Sequence, residues 1–245
     1  MDQTTLLILG VVFLISLVRS TFGFADALVG MPLITLLAGL QVATPLIALI
    51  AVTLSFVILL KNVRKVNIKA LWKLVLSSVI GIPFGLWLLK LPYDNLMKGI
   101  LGSIIFLFAL YKLASPMIGH FKNDRYSFLF GWLAGVLGGA YNAVGPAIVI
   151  YGVMRRWKPD RFRATLQGYF LPVGILLVIS HALAGFWTIQ VLTYYAWSIP
   201  IVLVAVWFGK FINRRISVER FSIYIYVLLL VLGGMLVIKS IVLNI

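Results

Sequence analysis

Long apolar runs alternate with short clusters of Lys and Arg along the whole chain. A hydrocarbon core takes about 20 helical residues to cross, and runs of that order are marked off by the clusters and by Gly, Pro and Asn. Ten elements result. In the first half they are A (Thr4 to Arg19), B (Met31 to Leu40), C (Pro45 to Leu60), D (Lys73 through Ser77, Ser78, Gly81 and Gly85 to Leu91) and E (Leu96 to Ser115). In the second they are A′ (Ser127 to Gly138), B′ (Ala147 to Trp157), C′ (Phe162 to Ala184), D′ (Val191 to Phe211) and E′ (Phe221 to the C-terminus). The pattern predicts an all-α polytopic membrane protein.

Two stretches interrupt the pattern without leaving it. Phe22 to Gly30, followed by Met31-Pro32, separates A from B, and Gly138-Gly139-Ala140-Tyr141-Asn142-Ala143-Val144-Gly145-Pro146 separates A′ from B′. Glycine and proline this dense predict broken helices. Freed N–H and C=O groups at membrane depth find no solvent, so such backbone is tolerated only where it faces protein or a wet cavity. Paired breaks in corresponding positions of two halves point to a transporter's binding site.

Of the 21 Lys and Arg, 17 fall in four clusters, at 61–73, 112–125, 155–163 and 210–220. Placing these loops in the cytoplasm makes A with B, and A′ with B′, into hairpins, either meeting near mid-membrane or crossing fully. Each half, 1–118 and 119–245, then holds five elements. An odd number per half sets the second upside down relative to the first, with both termini on the non-cytoplasmic side of the plasma membrane. The halves echo each other in Gly30-Met31-Pro32 against Val144-Gly145-Pro146, and in Thr53-Leu54 against Thr165-Leu166.

Composition narrows the function. At 62% hydrophobic and 11% charged residues the chain is not an ordinary soluble domain, and its net charge of +15 is a topology signal rather than a nucleic-acid surface. There is no cysteine, hence no disulfide framework and no thiol nucleophile. The run Leu6 to Val18 lacks a preceding basic residue and a cleavage site, and reads as a membrane element. One intramembrane Asp and two His, at 120 and 181, do not make an enzyme's acid–base or metal set, and no cofactor is implied.

The candidate chemistry is sparse. Asp26 is the acidic residue set in apolar surroundings away from a basic loop or chain end; it is either a proton carrier or the partner of Arg19, seven residues back across the hairpin. Arg19 either draws an anion inward or snorkels to the interface. In the second break Tyr141 and Asn142 supply side-chain donors, and the start of B′ presents a positive helix end suited to an oxyanion; Met31 at the start of B would do the same. On C′, Arg163, Gln167, Gly174 and His181 share one face, and Thr44, Ala48, Ala51, Ser55 and Asn62 form the facing stripe on C. Close packing explains that stripe, and the Gly81/Gly85 pair in D, without a substrate.

In its two Gly-rich breaks, each ending in a small-residue-Pro step, the chain resembles the TauE/SafE family of sulfite-exporter-like membrane proteins. The resemblance runs from Gly23-Phe24 to Pro32, through Ala51-Val52-Thr53 and Gly81 to Leu89, to Gly135–Pro146 and Phe162-Arg163-Ala164-Thr165. Where many members carry glycines after Gly23-Phe24, this chain has Ala25-Asp26-Ala27. The resemblance implies secondary transport of small sulfur-containing or related organic anions. Substrate contacts are then expected at Gly23, Phe24, Gly30, Met31, Pro32, Gly138, Gly139, Tyr141, Asn142, Gly145, Pro146, Arg163 and Gln167, and coupling to protons or sodium at Asp26 and Arg19. A channel or a structural membrane protein is the alternative, and assembly of identical copies is compatible with either.

Overall fold

The computed structural model describes residues 2–59, 68–114, 125–157, 159–215 and 218–242. They form ten α-helices and no strand. These are α1 (Gln3–Phe22), α2 (Asp26–Ala38), α3 (Leu40–Leu59), α4 (Ile68–Lys90), α5 (Asp94–Ala114), α6 (Tyr126–Tyr141), α7 (Gly145–Met154), α8 (Pro159–Leu183), α9 (Ile189–Arg215) and α10 (Val218–Val242). The chain is a polytopic membrane protein. Seven of the helices (α1, α3, α4, α5, α8, α9 and α10) are long and apolar enough to span a bilayer. At 13 and 10 residues, α2 and α7 extend about 20 and 15 Å. Neither is long enough to cross alone, and each is joined to a longer arm, α1 or α6.

Both breaks are shorter than the sequence suggests. In the first half α2 begins at Asp26 rather than Met31, leaving only Gly23, Phe24 and Ala25 outside helix, with Gly30, Met31 and Pro32 helical and buried. In the second, α6 runs on through Gly138, Gly139 and Tyr141, so the break shrinks to Asn142, Ala143 and Val144. The expectation rested on helix propensity in water, where each glycine costs roughly 1 kcal/mol against alanine. Inside an apolar assembly an abandoned backbone hydrogen bond costs several times that, so the helix persists wherever it can. Pro32 is accommodated on the same terms, forfeiting one bond without ending α2.

Helix contacts come in sets that exchange into one another when the first five helices are swapped for the last five. The most extensive are α4 with α6, α1 with α9, and α5 with α10; α3 with α8, α4 with α8 and α3 with α9 complete the pattern. The first pair becomes the second on exchange, and α5–α10 and α3–α8 map onto themselves. Aliphatic side chains from both halves fill the middle, among them Ile8, Ile15, Leu46, Ile47, Ile50 and Leu166, all fully buried. Trp87, Leu107, Trp207 and Ile238 point outward, as lipid-facing residues do.

Small residues set the closest approaches. On α6, Gly131, Gly135 and Gly139 recur every fourth residue and meet Leu74, Ser77, Ser78, Ile82 and Gly85 of α4, backbone against backbone as the absence of side chains permits. Gly81 and Gly85 return the contact onto Gly135 and Gly139. Thus Gly139, expected at the substrate, is part of a packing surface. The pair on the exchange axis does the same, Gly102 on α5 lying against the backbone of Gly233 on α10.

A Cβ added at Gly139 would lie 2.9 Å from the backbone N of Leu86 and closer still to Ile82 O, atoms that cannot turn aside. Gly139→Leu is expected to cost more than the roughly 1–3 kcal/mol usual for overpacking and to abolish a monodisperse size-exclusion peak. Gly234→Leu, where a Cβ meets nothing within 4 Å, should elute as the parent does.

Candidate functional site

The first break is a tight reversal. Arg19 lies in the last turn of α1, and Gly23 follows in the left-handed region (φ 86°), its N–H returning 2.6 Å to Arg19 O. Glycine adopts that conformation without a Cβ penalty. Ala25, which does pay one, is also left-handed (φ 78°), at a cost of about 1–2 kcal/mol. Two left-handed residues within three turn the chain back on itself. Asp26, the first residue of α2, therefore sits beside Arg19, with Nη1 2.5 Å from Oδ2.

Two further helices bring neutral acceptors to the same guanidinium. Arg19 Nη2 donates to Ser55 Oγ of α3 and, over 3.2 Å, to Gln167 Oε1 of α8. The Gln167 amide in turn donates to the carbonyl of Gly23, so α8 pins the break itself. The Phe170 ring covers the cation, its centroid 5.0 Å from Arg19 Cζ, a distance at which ring and charge attract. Arg19 and Asp26 are only 3% and 4% exposed. Arg19 Nε is buried without a hydrogen-bond partner.

The second break has a different character. Asn142 is left-handed (φ 50°) and its N–H reaches Gly138 O at 2.8 Å, while Ala143 N–H reaches Leu137 O at 3.1 Å. These bonds close α6 with asparagine in the place glycine usually takes. The next helix, α7, starts bare. Its N-cap is Val144, no side chain caps it, its first turn holds no acid, and Pro146 stands at its start. The first N–H groups of a helix have no partner within it, and Pro146 has none to offer, so Gly145 and Ala147 supply the free donors at a partly positive end.

The two breaks face one small pocket. Arg19 and the start of α2 line it from one side, Asn142 to Pro146 from the other, with Ala51 of α3 and Phe170, Gly174 and Leu177 of α8 between them. A Cβ at Gly145 would meet nothing within 4 Å, which places open space at the start of α7. A buried cation and an uncapped helix end border it, an arrangement suited to an oxyanion.

The structure gathers some of the expected residues and disperses others. Arg19, Asp26, Asn142, Gly145 and Pro146 line the cavity; Gln167 and Gly23 stand behind Arg19. Phe24 is half-buried against the apolar core. Gly30 packs on Ile15 and Ile47, Gly138 on Val144 and Leu177, and Met31 and Pro32 are buried along α2, none of the four at the cavity. Tyr141 turns away, its hydroxyl 3.5 Å from Met97 Sδ. Arg163 falls within α8 with its side chain outside the described residues, as does Asn62 altogether. His181 is fully buried, Nε2 3.2 Å from Gly139 O.

Sequence reasoning assigned Ser55 to packing and passed over Phe170. The two stripes it drew on C and C′ do meet, as α3 and α8. Only the fold shows that Arg19 lies across their junction.

A model of the family described as Sulfite exporter TauE/SafE matches residues 8–236, nearly the whole chain. No curated protein and no solved structure matches it. Seven membrane-length helices and two short broken ones fit that match, and the chain belongs to the sulfite exporter TauE/SafE family of membrane transporters.

Proposed function

We propose that this chain is a secondary carrier of a small sulfur oxyanion, sulfite or a compact sulfonate, which binds between the two helix breaks. The observation that carries the reading is the buried Arg19 guanidinium, with Nε unpartnered, lining the same cavity as the uncapped start of α7. A sulfur oxyanion offers several acceptor oxygens on one centre. It can take the Nε–H of Arg19 with some of its oxygens and the backbone N–H groups of α7 with others, charge-assisted on both sides. Asn142 adds a side-chain amide.

Residues 1–118 and 119–245 are read as halves of opposite orientation in the plasma membrane, with both termini outside. The exchange pattern of helix contacts supports two related halves, and the basic clusters support the orientation. Rocking of one half against the other would expose the cavity alternately to the two sides.

In proteoliposomes the wild type is expected to exchange radiolabelled sulfite or 2-hydroxyethanesulfonate across the membrane under an imposed gradient. Arg19→Met should be inactive and also unstable, since an unpaired buried carboxylate costs about 3–5 kcal/mol. The double variant Arg19→Met/Asp26→Asn, which removes both charges, should regain most of the lost melting temperature and remain inactive. Wild-type exchange rates in the double variant would take Arg19 out of the site.

The chain's lack of native cysteine allows orientation to be read directly. Tyr93→Cys, between α4 and α5, should react with an impermeant thiol reagent added outside intact cells. Ser217→Cys, at the corresponding junction of α9 and α10, should react only after the cells are opened. Labelling of both from the same side would mean that the halves are not inverted.

A further inference from the structure

Asp26 is the anion already paired with Arg19 at the pocket an entering anion would share. A guanidinium has five N–H donors; here Nη2 serves Ser55 and Gln167, Nη1 serves Asp26, and Nε serves none. Ser55 and Gln167 are neutral and fixed, one in α3 and the other tied to the Gly23 carbonyl. Asp26 is neither. It carries full charge, it is the acidic residue among those lining the cavity, and it follows a reversal that holds Ala25 in a conformation unfavourable to alanine.

We infer that Asp26 is a tethered counter-ion, displaced from Arg19 when the oxyanion enters, so that carboxylate and substrate compete for one guanidinium. This rests on the anion site proposed above and adds how its affinity is set. Two anions on one buried cation would leave a net negative charge in a medium of low dielectric, which is unfavourable at this depth. Competition therefore prevails over shared binding. The released carboxylate has a seat within reach, because no side chain caps the start of α2 and Asp26 stands in its first turn, where backbone N–H groups and the helix dipole favour a negative group.

Exchange of this kind keeps the site near neutral when empty. It also holds affinity down, because the apparent dissociation constant rises as the fraction of molecules with Arg19 free becomes small. The substrate must then be compact and strongly charged at one end, since a diffuse anion would not displace a carboxylate from a 2.5 Å contact.

The experiment is a thermal-shift titration of the purified full chain with sodium sulfite and, separately, 2-hydroxyethanesulfonate, on the wild type, Asp26→Asn, Asp26→Ser and Asp26→Glu. With no anion present the Asn and Ser variants should melt below wild type, having lost the partner of Arg19. Each should half-saturate at an anion concentration about tenfold lower than wild type, and show slower counterflow in vesicles because the anion leaves late. Asp26→Glu retains a competing carboxylate and should show no such gain. Wild type that responds to the anion, with no gain in whichever of the Asn and Ser variants folds, would overturn the exchange and leave the site standing. Wild type that responds to neither anion would overturn both.

Discussion

A guanidinium and a carboxylate held in contact where water is scarce constrain everything around them. Either charge left unpaired at that depth would be costly, and Ser55, Gln167 and the Phe170 ring complete the shell of Arg19. Those three groups come from α3 and α8, the helices that meet across the two halves. The geometry of the inter-half contact and the geometry of the charge pair are thus one problem. A shift of α8 against the end of α1 would pull Gln167 from Arg19 and from the Gly23 carbonyl together, loosening the break as it uncovers the cation. Here packing, electrostatics and movement act through the same few atoms.

The glycines divide by what they must avoid. Along α6 they let α4 approach within backbone distance, and the resulting surface has no room for adjustment. At Gly23 and Gly145 they serve the opposite end, one turning the chain and the other bordering open space. The carrier proposed above would need both kinds, because a cavity that opens and closes requires some surfaces that do not yield. In this chain α4 with α6 and α5 with α10 form close, small-residue contacts, while the breaks stand where packing gives way to the cavity.

Much of the architecture was legible in the sequence, because bilayer thickness and the cost of buried charge leave few arrangements for long apolar runs punctuated by lysine and arginine. The ten elements and the short arms of the hairpins follow from run length, and seven helices reach membrane length. Break boundaries were misplaced by several residues because glycine content reports helix propensity in water. It does not report the stronger demand, inside an assembly, that every backbone hydrogen bond be kept. Asp26 stood out as a carboxylate with no polar neighbours in sequence, and Arg19 as its nearest cation. Ser55 and Phe170 could not stand out, since a serine on a small-residue stripe and one phenylalanine among sixteen acquire meaning only once Arg19 is placed across their helices. Met31 was misread for a related reason: a Met-Pro step looks like a helix start, yet Asp26 begins α2 five residues earlier.

The two breaks differ in a way their similar sequences hide. The first carries two full and opposite charges; the second carries none and offers only the partial charge of an uncapped helix end, equivalent to about half a unit. Had both breaks carried an arginine, an anion would be held by two full cations and would leave slowly. Had neither, it would gain too little on leaving water to enter. One cation already occupied by a carboxylate, set against one bare helix end, gives an anion enough to replace part of its hydration and little more. On the proposed reading a site of restrained strength is the useful one, and Asp26 in the first turn of α2, with no acid in the first turn of α7, would be the feature that restrains it.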